Sequence, residues 1–316
     1  MDNEVAIMRY EIDSSMSINE TIKKLNSGDE LYLKNGLYNE KVFINKDNIT
    51  ITGESKDKTI IANKDHFYKI MDDFNECNTF RTYTLLVCGD NVTIKNISIR
   101  NDSVPSEIYG QAVALYADGD NFKCENAKLI SAQDTLFTGP LPPDLIIRHQ
   151  GFLNPLQLVG KKTHQQYINC DICGDVDFIF GGAYALFYKC NIISINTSDK
   201  EVDGYLAAPS HQKEDKYGYL FYKCNLIKED KVKNVFLARP WRDYGNCAFI
   251  DCKMDNHINP LGWNKWNNSN RDKTARFSEY TENVDLTKRL KWAKILTFDE
   301  KEKLKDEFFK LVNFNE

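Results

Sequence analysis

"FYKCNI" (Phe187 to Ile192) and "FYKCNL" (Phe221 to Leu226) repeat almost letter for letter, 34 residues apart. Four more segments follow the same rule: "IKNISI" (Ile94 to Ile99), "CENAKL" (Cys124 to Leu129), "YINCDI" (Tyr167 to Ile172) and "FIDCKM" (Phe249 to Met254). Each has a polar residue in third place, a small or apolar one in fourth, and an aliphatic residue or Met in sixth. The fourth-place residues are Ile97, Ala127, Cys170, Cys190, Cys224 and Cys252, separated by 30, 43, 20, 34 and 28 residues. A constant short strand with a variable period describes a solenoid whose loops differ in length. One rung cannot bury its own apolar face, so rungs stack, and parallel stacking of such strands gives a parallel β-helix. The four cysteines then form a ladder of small, reduced, inward residues. A β-sandwich competes, but it calls for more Asn-Gly hairpin turns than the clear instance at Asn35-Gly36.

The chain has 316 residues, 42% hydrophobic and 28% charged, which suits one large domain or two ordinary ones. It is read as one domain, 1–316. Net charge is -5 and the pI about 5.7. No Lys/Arg block points to nucleic acid, so an anionic partner would have to be held by local basic residues. No apolar run reaches the roughly 18 residues of a membrane-spanning helix, and no membrane partner is expected. The start, MDNEVAIMRYEIDSS, lacks a basic stretch followed by an apolar one. The expectation is a cytoplasmic protein, with an exported protein whose signal was removed as the alternative. There are nine cysteines and a single CxxC, Cys170 with Cys173. Zinc sites need two such pairs or added His, so neither metal nor cofactor is expected.

Helices are sparse. Ser17-Ile-Asn-Glu20 reads as a capping box opening a helix over about 17–26, with Ile18, Ile22 and Leu25 on one face. Thr297-Phe-Asp-Glu300 reads as another, opening a helix over about 298–312 with Leu304, Phe308 and Leu311 at helical spacing. Both are expected to cap or flank the larger body.

Four segments break the apolar-in, polar-out pattern: "YGQAVALYADGD" with Gln111, "AQDTLF" with Gln133 and Asp134, "GDVDFIFGGA" with Asp175 and Asp177, and "FLARPWRDYG" with Arg239 and Trp241. Strand interiors rarely carry Asp, and a buried acid is costly unless paired or used. Gln111 to Gln133 spans 22 residues, about one rung; Asp134 to Asp177 spans 43, two short rungs or one long one. A solenoid could stack them on one face. Two carboxylates, two amides and an Arg suit acyl transfer. One Asp must be ionised to attack, the other protonated to donate to the leaving group, and environments that push their pKa values apart allow both. An Arg beside one Asp lowers its pKa. Side-chain amides can hydrogen-bond a developing oxyanion. Taken singly, each residue has a plainer reading: a satisfied buried acid, a ladder glutamine, a packed Arg-Pro-Trp turn.

At these residues the chain resembles the pectin methylesterases (pectinesterases). Five segments stand in the family's order: Gly36-Leu-Tyr38-Asn-Glu40, Gln111-Ala-Val-Ala-Leu115, Gln133-Asp-Thr-Leu136, Asp177-Phe-Ile-Phe-Gly181 and Leu237-Ala-Arg-Pro-Trp241. The resemblance spans about residues 16–300. It implies an all-β fold, a right-handed single-stranded parallel β-helix of the pectin-lyase-like kind with flanking short helices, acting without metal. It also implies roles. Asp177 would be the nucleophile on the C6 methyl ester of a galacturonosyl unit. Asp134 would protonate departing methanol and then activate water. Gln111 and Gln133 would stabilise the oxyanion, and Arg239 would hold Asp177 ionised. Trp241, Phe137 and Phe180 match positions where aromatics line the sugar cleft. The implied partner is methyl-esterified homogalacturonan or its oligogalacturonides, bound by a monomer.

Three departures from the family pattern stand out. Position 238 is Ala where Gly is usual, and Phe137 replaces a common Tyr. The stretch Gly139 to Lys162 is longer than the usual connection, so it either walls the cleft and favours short substrates or is a plain surface excursion. No G-x-S-x-G or H-E-x-x-H motif offers another esterase route. The competing readings are a pectin-binding β-helix without turnover, and a pectate lyase or polygalacturonase on the same architecture.

Overall fold

The computed structural model describes residues 7–197, 200–282 and 284–316. Residues 1–6, part of the stretch read for export, lie outside them. The described chain winds through three sheets of eleven, eight and seven strands. One coil shows the path: Thr93–Lys95 in the first sheet, Ser98–Asn101 in the second, Leu115–Ala117 in the third, then Phe122–Glu125 back in the first. Phe122–Glu125 lies parallel to Thr93–Lys95. The β-sandwich reading falls with that topology. Gly36 opens a strand, Gly36–Asn39, that pairs parallel with Thr59–Asn63, so Asn35-Gly36 is not a hairpin turn.

The sequence repeat is the spatial register. First-place residues Ile94, Cys124, Tyr167, Phe187, Phe221 and Phe249 are partners on successive strands of the first sheet. Sixth-place residues Ile99, Leu129, Ile172, Ile192, Leu226 and Met254 are partners in the second. The third-place residue makes the corner between the two sheets. Asn96, Asn126, Asn169, Lys189, Lys223 and Asp251 all have left-handed backbone, with φ from 45° to 56°. Asn and Asp tolerate that region best, and the side chain points away from the core, so this position is polar.

The fourth-place residue turns inward against the rung before it. Cys170, Cys190, Cys224 and Cys252 are buried free thiols. Their Sγ atoms donate to carbonyls one rung earlier, those of Cys124, Tyr167, Phe187 and Phe221, at 3.2–3.4 Å. Beside them Tyr167, Phe187, Phe221 and Phe249 stack face to face, with centroids 4.8, 4.4 and 4.3 Å apart. Each such pair adds about 0.5–1.5 kcal/mol beyond its burial. Outside, Asn91 donates to Asn48 and Asn121 to Asn91, at 2.9 and 3.1 Å.

The two flanking helices are present, one shorter than expected. The first covers only Ile18–Ile22, not 17–26. Ser17 caps the Glu20 N–H, but the second half of the box is replaced. Glu40, from the first family segment, accepts from Ser17 Oγ, the Ile18 and Asn19 N–H groups and Asn19 Nδ2, at 2.7–3.0 Å. Ile18 and Ile22 close the solenoid core at its N-terminal end. The last helix, Phe298–Leu311, has its full capping box and lays Leu304, Phe308 and Phe309 on the outer face of the first sheet, over Leu186, Leu220 and Tyr222. Two further helices, Ser106–Tyr109 and Pro143–Arg148, sit in excursions between rungs.

Because one carboxylate satisfies four donors of a buried helix start, Glu40→Ala should destabilise the protein by about 2 kcal/mol, with Glu40→Gln milder. Urea unfolding checks this; an unchanged midpoint for Glu40→Ala would mean that solvent serves those donors equally well.

Candidate active site

The third sheet, with the excursions around it, carries the unusual residues. Gln111 bridges Gln133 in parallel register. Leu136 pairs with Ile179, which sets Asp134 and Asp177, each two residues earlier, on adjacent rungs. The 43-residue span is therefore one long rung. Asp134 lies not inside a strand but in a left-handed turn before Leu136–Thr138, with φ 64°. Asp177 has φ 51°, at a register shift between Val176 and Ile179 against the next strand. Such strain costs about 1–3 kcal/mol per residue and collects at functional sites, and so do bulges. The fold thus holds two acids out of regular pairing at the floor of a cleft of about 590 Å³, a common size for a ligand site.

The cleft gathers Asp134, Asp177, Gln111, Gln133, Arg239, Trp241 and Phe180. Arg239 meets Asp177 as a fork: Nε to Oδ1 at 2.8 Å and Nη2 to Oδ2 at 2.6 Å. Its guanidinium lies between the rings of Tyr205 and Trp266, at 3.8 and 4.0 Å. These faces fix its plane and leave its edge for the carboxylate. Burial pushes the Asp134 carboxyl well above the usual carboxylate range, the charge of Asp177 adds to that push, and Arg239 opposes it. Burial raises Asp177 too, against the charge and hydrogen bonds of Arg239. The arginine therefore does not bring Asp177 below its ordinary value, but it bonds Asp177 alone. If one proton is shared by the pair, it belongs on Asp134 and the charge on Asp177.

The glutamines are not ladder residues. Unlike the stacked asparagines, their side-chain amides have no partner among the described residues, and both line the cleft. Asp175 is the plain case, a satisfied buried acid that accepts from Ser106 Oγ and the Val176 N–H, both at 2.6 Å, and also from Thr197. Phe137 needs correcting. It is 0% exposed and supports the cleft from beneath, packed on Tyr116, Phe180 and Phe80 at 4.5, 4.9 and 5.4 Å. Its strand position turns it under the cleft floor, where a tyrosine hydroxyl would need a partner. Ala238 fits, fully buried in register with Ala207.

Sequence reasoning missed Trp266, Tyr205, Phe80, Arg148 and Arg242. Trp266 could have been flagged as a large aromatic in the polar stretch Asn264-Lys-Trp-Asn-Asn268. The long connection does wall the cleft: Leu145, Arg148 and His149 line it. Among the described residues no group of three or more His, Cys, Asp or Glu is placed to hold a metal ion.

Fold and site together define a parallel β-helix with a carboxylate pair in its cleft, one member of which is held by an arginine. The pectinesterase family model matches residues 4–140 and 149–313, and the chain belongs to that family. It is 30% identical over 272 residues to probable pectinesterase 8 of Arabidopsis thaliana, covering 82% of this chain and 61% of that protein. It is 28% identical over 288 residues to probable pectinesterase/pectinesterase inhibitor 13 of the same plant, covering 87% and 42%. The chain thus spans about half the length of such curated relatives. Among solved structures, pectin methylesterase PemA of Erwinia chrysanthemi superposes with a TM-score of 0.74 at 25% identity, over 93% of this chain and 94% of that one. Carrot pectin methylesterase shares the fold at TM-score 0.77 and 20% identity, over 98% and 96%.

The raised Asp134 pKa has a consequence for stability. A carboxyl whose folded pKa lies above its unfolded value stabilises fully below the unfolded value, and that stability is lost as pH rises through the folded pKa. Asp134→Asn removes the dependence. The variant should therefore exceed wild type in stability at pH 8, with the gap closing toward pH 4. Parallel denaturant titrations at the two pH values would test it; a gap that does not shrink on acidification rejects the assignment of the shared proton.

Proposed function

We propose that this protein is a pectin methylesterase, hydrolysing C6 methyl esters of methyl-esterified homogalacturonan or its oligogalacturonides to methanol and free carboxylates. The observation that carries the reading is the asymmetry of the stacked pair: Arg239 forks onto Asp177 and leaves Asp134 without a hydrogen bond from any described side chain. Membership of the family supports it, as do pectin methylesterases solved with bound hexasaccharides at 25% identity.

In this reading the Asp177 carboxylate attacks the ester carbonyl carbon, and the carbonyl oxygen gains negative charge. The free amides of Gln111 and Gln133 donate to that oxygen. As the tetrahedral species collapses, Asp134 gives its proton to the methoxy oxygen and methanol leaves. An acyl-enzyme anhydride on Asp177 remains. Asp134, now ionised, takes a proton from water as the water attacks the same carbon, and Asp177 departs as carboxylate beside Arg239. Trp241 and Phe180 offer apolar faces to the sugar rings. The wall at Leu145 and His149 supports a preference for oligogalacturonides over long polymer.

Asp177→Asn and Asp134→Asn should each lower methanol release by about 10³-fold or more, and Gln111→Ala by roughly 10²-fold. Wild-type kcat/KM should be bell-shaped in pH, with its acid limb from protonation of Asp177 and its alkaline limb from loss of the Asp134 proton. Methanol release assayed on a methylated hexagalacturonide and on long methylated pectin tests all of this. Near-wild-type turnover by either Asn variant would reject the mechanism.

A further inference from the structure

Asp177 and Arg239 are not on neighbouring rungs. In the third sheet the strand Gly204–Pro209 lies between Val176–Gly181 and Val235–Ala238. Ile179 pairs with Ala207, and Ala207 with Ala238. Paired strands stand about 4.8 Å apart, so the Arg239 side chain must reach back across one whole rung to fork onto Asp177. Tyr205 belongs to the rung that it crosses. The guanidinium lies on that ring, 3.8 Å from its centroid.

The ring is firmly set. Tyr205 pairs with Val176, just before the register shift that frees Asp177, and its N–H donates to the Asp175 carbonyl at 3.1 Å. Gly204 before it has no room for a side chain: a Cβ there would stand 1.9 Å from the same carbonyl oxygen. Toward the next rung Tyr205 pairs with Phe236, and their rings stack 5.7 Å apart at 14°. Trp266 covers the other face of the guanidinium at 4.0 Å. Its backbone is left-handed, with φ 70°, a strained state for a bulky residue, and Asn264 Oδ1 accepts from its N–H at 2.8 Å. Trp266 lines the cleft, whereas Tyr205 is not among the described side chains that do. Tyr205 therefore meets the reacting groups through Arg239.

We propose that Tyr205 is a positioning residue of the esterase: its flat ring carries the Arg239 guanidinium across the intervening rung, so that both donors stay on the Asp177 carboxylate during attack. This rests on the esterase reading. An aromatic face orients a guanidinium without competing for its N–H groups, and a small misplacement of an aligned catalytic group is costly in rate. An aliphatic residue of similar size fills the space but leaves the guanidinium free to swing off the carboxylate. What then surrounds Asp177 favours its protonated form: burial, the charge of Asp175 two residues earlier, and Asp134 one rung back. Asp177 would keep its proton to a higher pH, and the acid limb of activity would move upward.

The test compares Tyr205→Leu and Tyr205→Met, which keep apolar volume without a flat face, with Tyr205→Phe, which keeps the face. Methanol release from a methylated hexagalacturonide is followed across pH, and the Asp177 carboxyl is titrated directly by carboxyl-carbon NMR. The Leu and Met variants should lose roughly tenfold in kcat with KM within about twofold. Their acid limb and the Asp177 midpoint should both move to higher pH. Tyr205→Phe should stay within about twofold of wild type, with its limb in place. Wild-type kcat and an unmoved limb in the Leu and Met variants overturn the proposal. So does a Phe variant that falls with them, because the ring alone would then not suffice, and so does a loss confined to KM, which would make Tyr205 a substrate contact. If wild type releases no methanol, the esterase reading fails, while an Asp177 midpoint that still rises in the Leu and Met variants leaves the positioning role standing.

Discussion

A rung of this solenoid can bury its inward side chains only against the rung above and the rung below. That constraint governs the rest of the molecule. It forces like onto like: phenyl rings within 4.8 Å in one column, thiols donating to the preceding rung in the next, asparagines bonding asparagines outside. Each coil must also leave the first sheet and enter the second at the same height, and in six successive rungs a left-handed residue, from Asn96 to Asp251, makes that corner. Propensity alone would not select Lys189 or Lys223 for that backbone; stacking does.

The same geometry makes the site possible and costly. Stacking places Asp134 one rung from Asp177, and two buried carboxylates at that separation resist joint ionisation. Arg239, held flat between Tyr205 and Trp266, breaks the symmetry by engaging one of them. Under the proposed esterase reading, a pair that would otherwise only destabilise the fold becomes an acid beside a base. The strain at both aspartates and the free amides of Gln111 and Gln133 belong to the same local departure from regular stacking.

Excursions between rungs are where the architecture is free to vary. Asp175 anchors the segment that carries Ser106, while the insert before Phe152 brings Leu145, Arg148 and His149 to the cleft. The coil beneath need not change when such a segment is added, since the backbone ladders of its strands run to neighbouring rungs. The specificity of the cleft can therefore vary while its floor stays fixed.

The periodic residues were legible because stacking turns a spatial column into a sequence repeat: first, fourth and sixth places read from the letters are the columns of the structure. The five polar residues of the site were legible because each breaks that pattern, and the resemblance of their segments to a family supplied the order. The depth of Phe137, the substitution of Glu40 for half of a capping box and the short first helix were not legible. Each depends on which neighbour arrives from another rung. Nor could the letters show that Trp266 and Tyr205 grip Arg239, or that Arg242 forks onto Asp144. The sequence by itself determined the coil, because its repeat is local and six successive rungs obey it. Only the tertiary structure decided which charges pair in the cleft, because that depends on how segments as far apart as Asp144 and Arg242, 98 residues, meet across the surface of the coil.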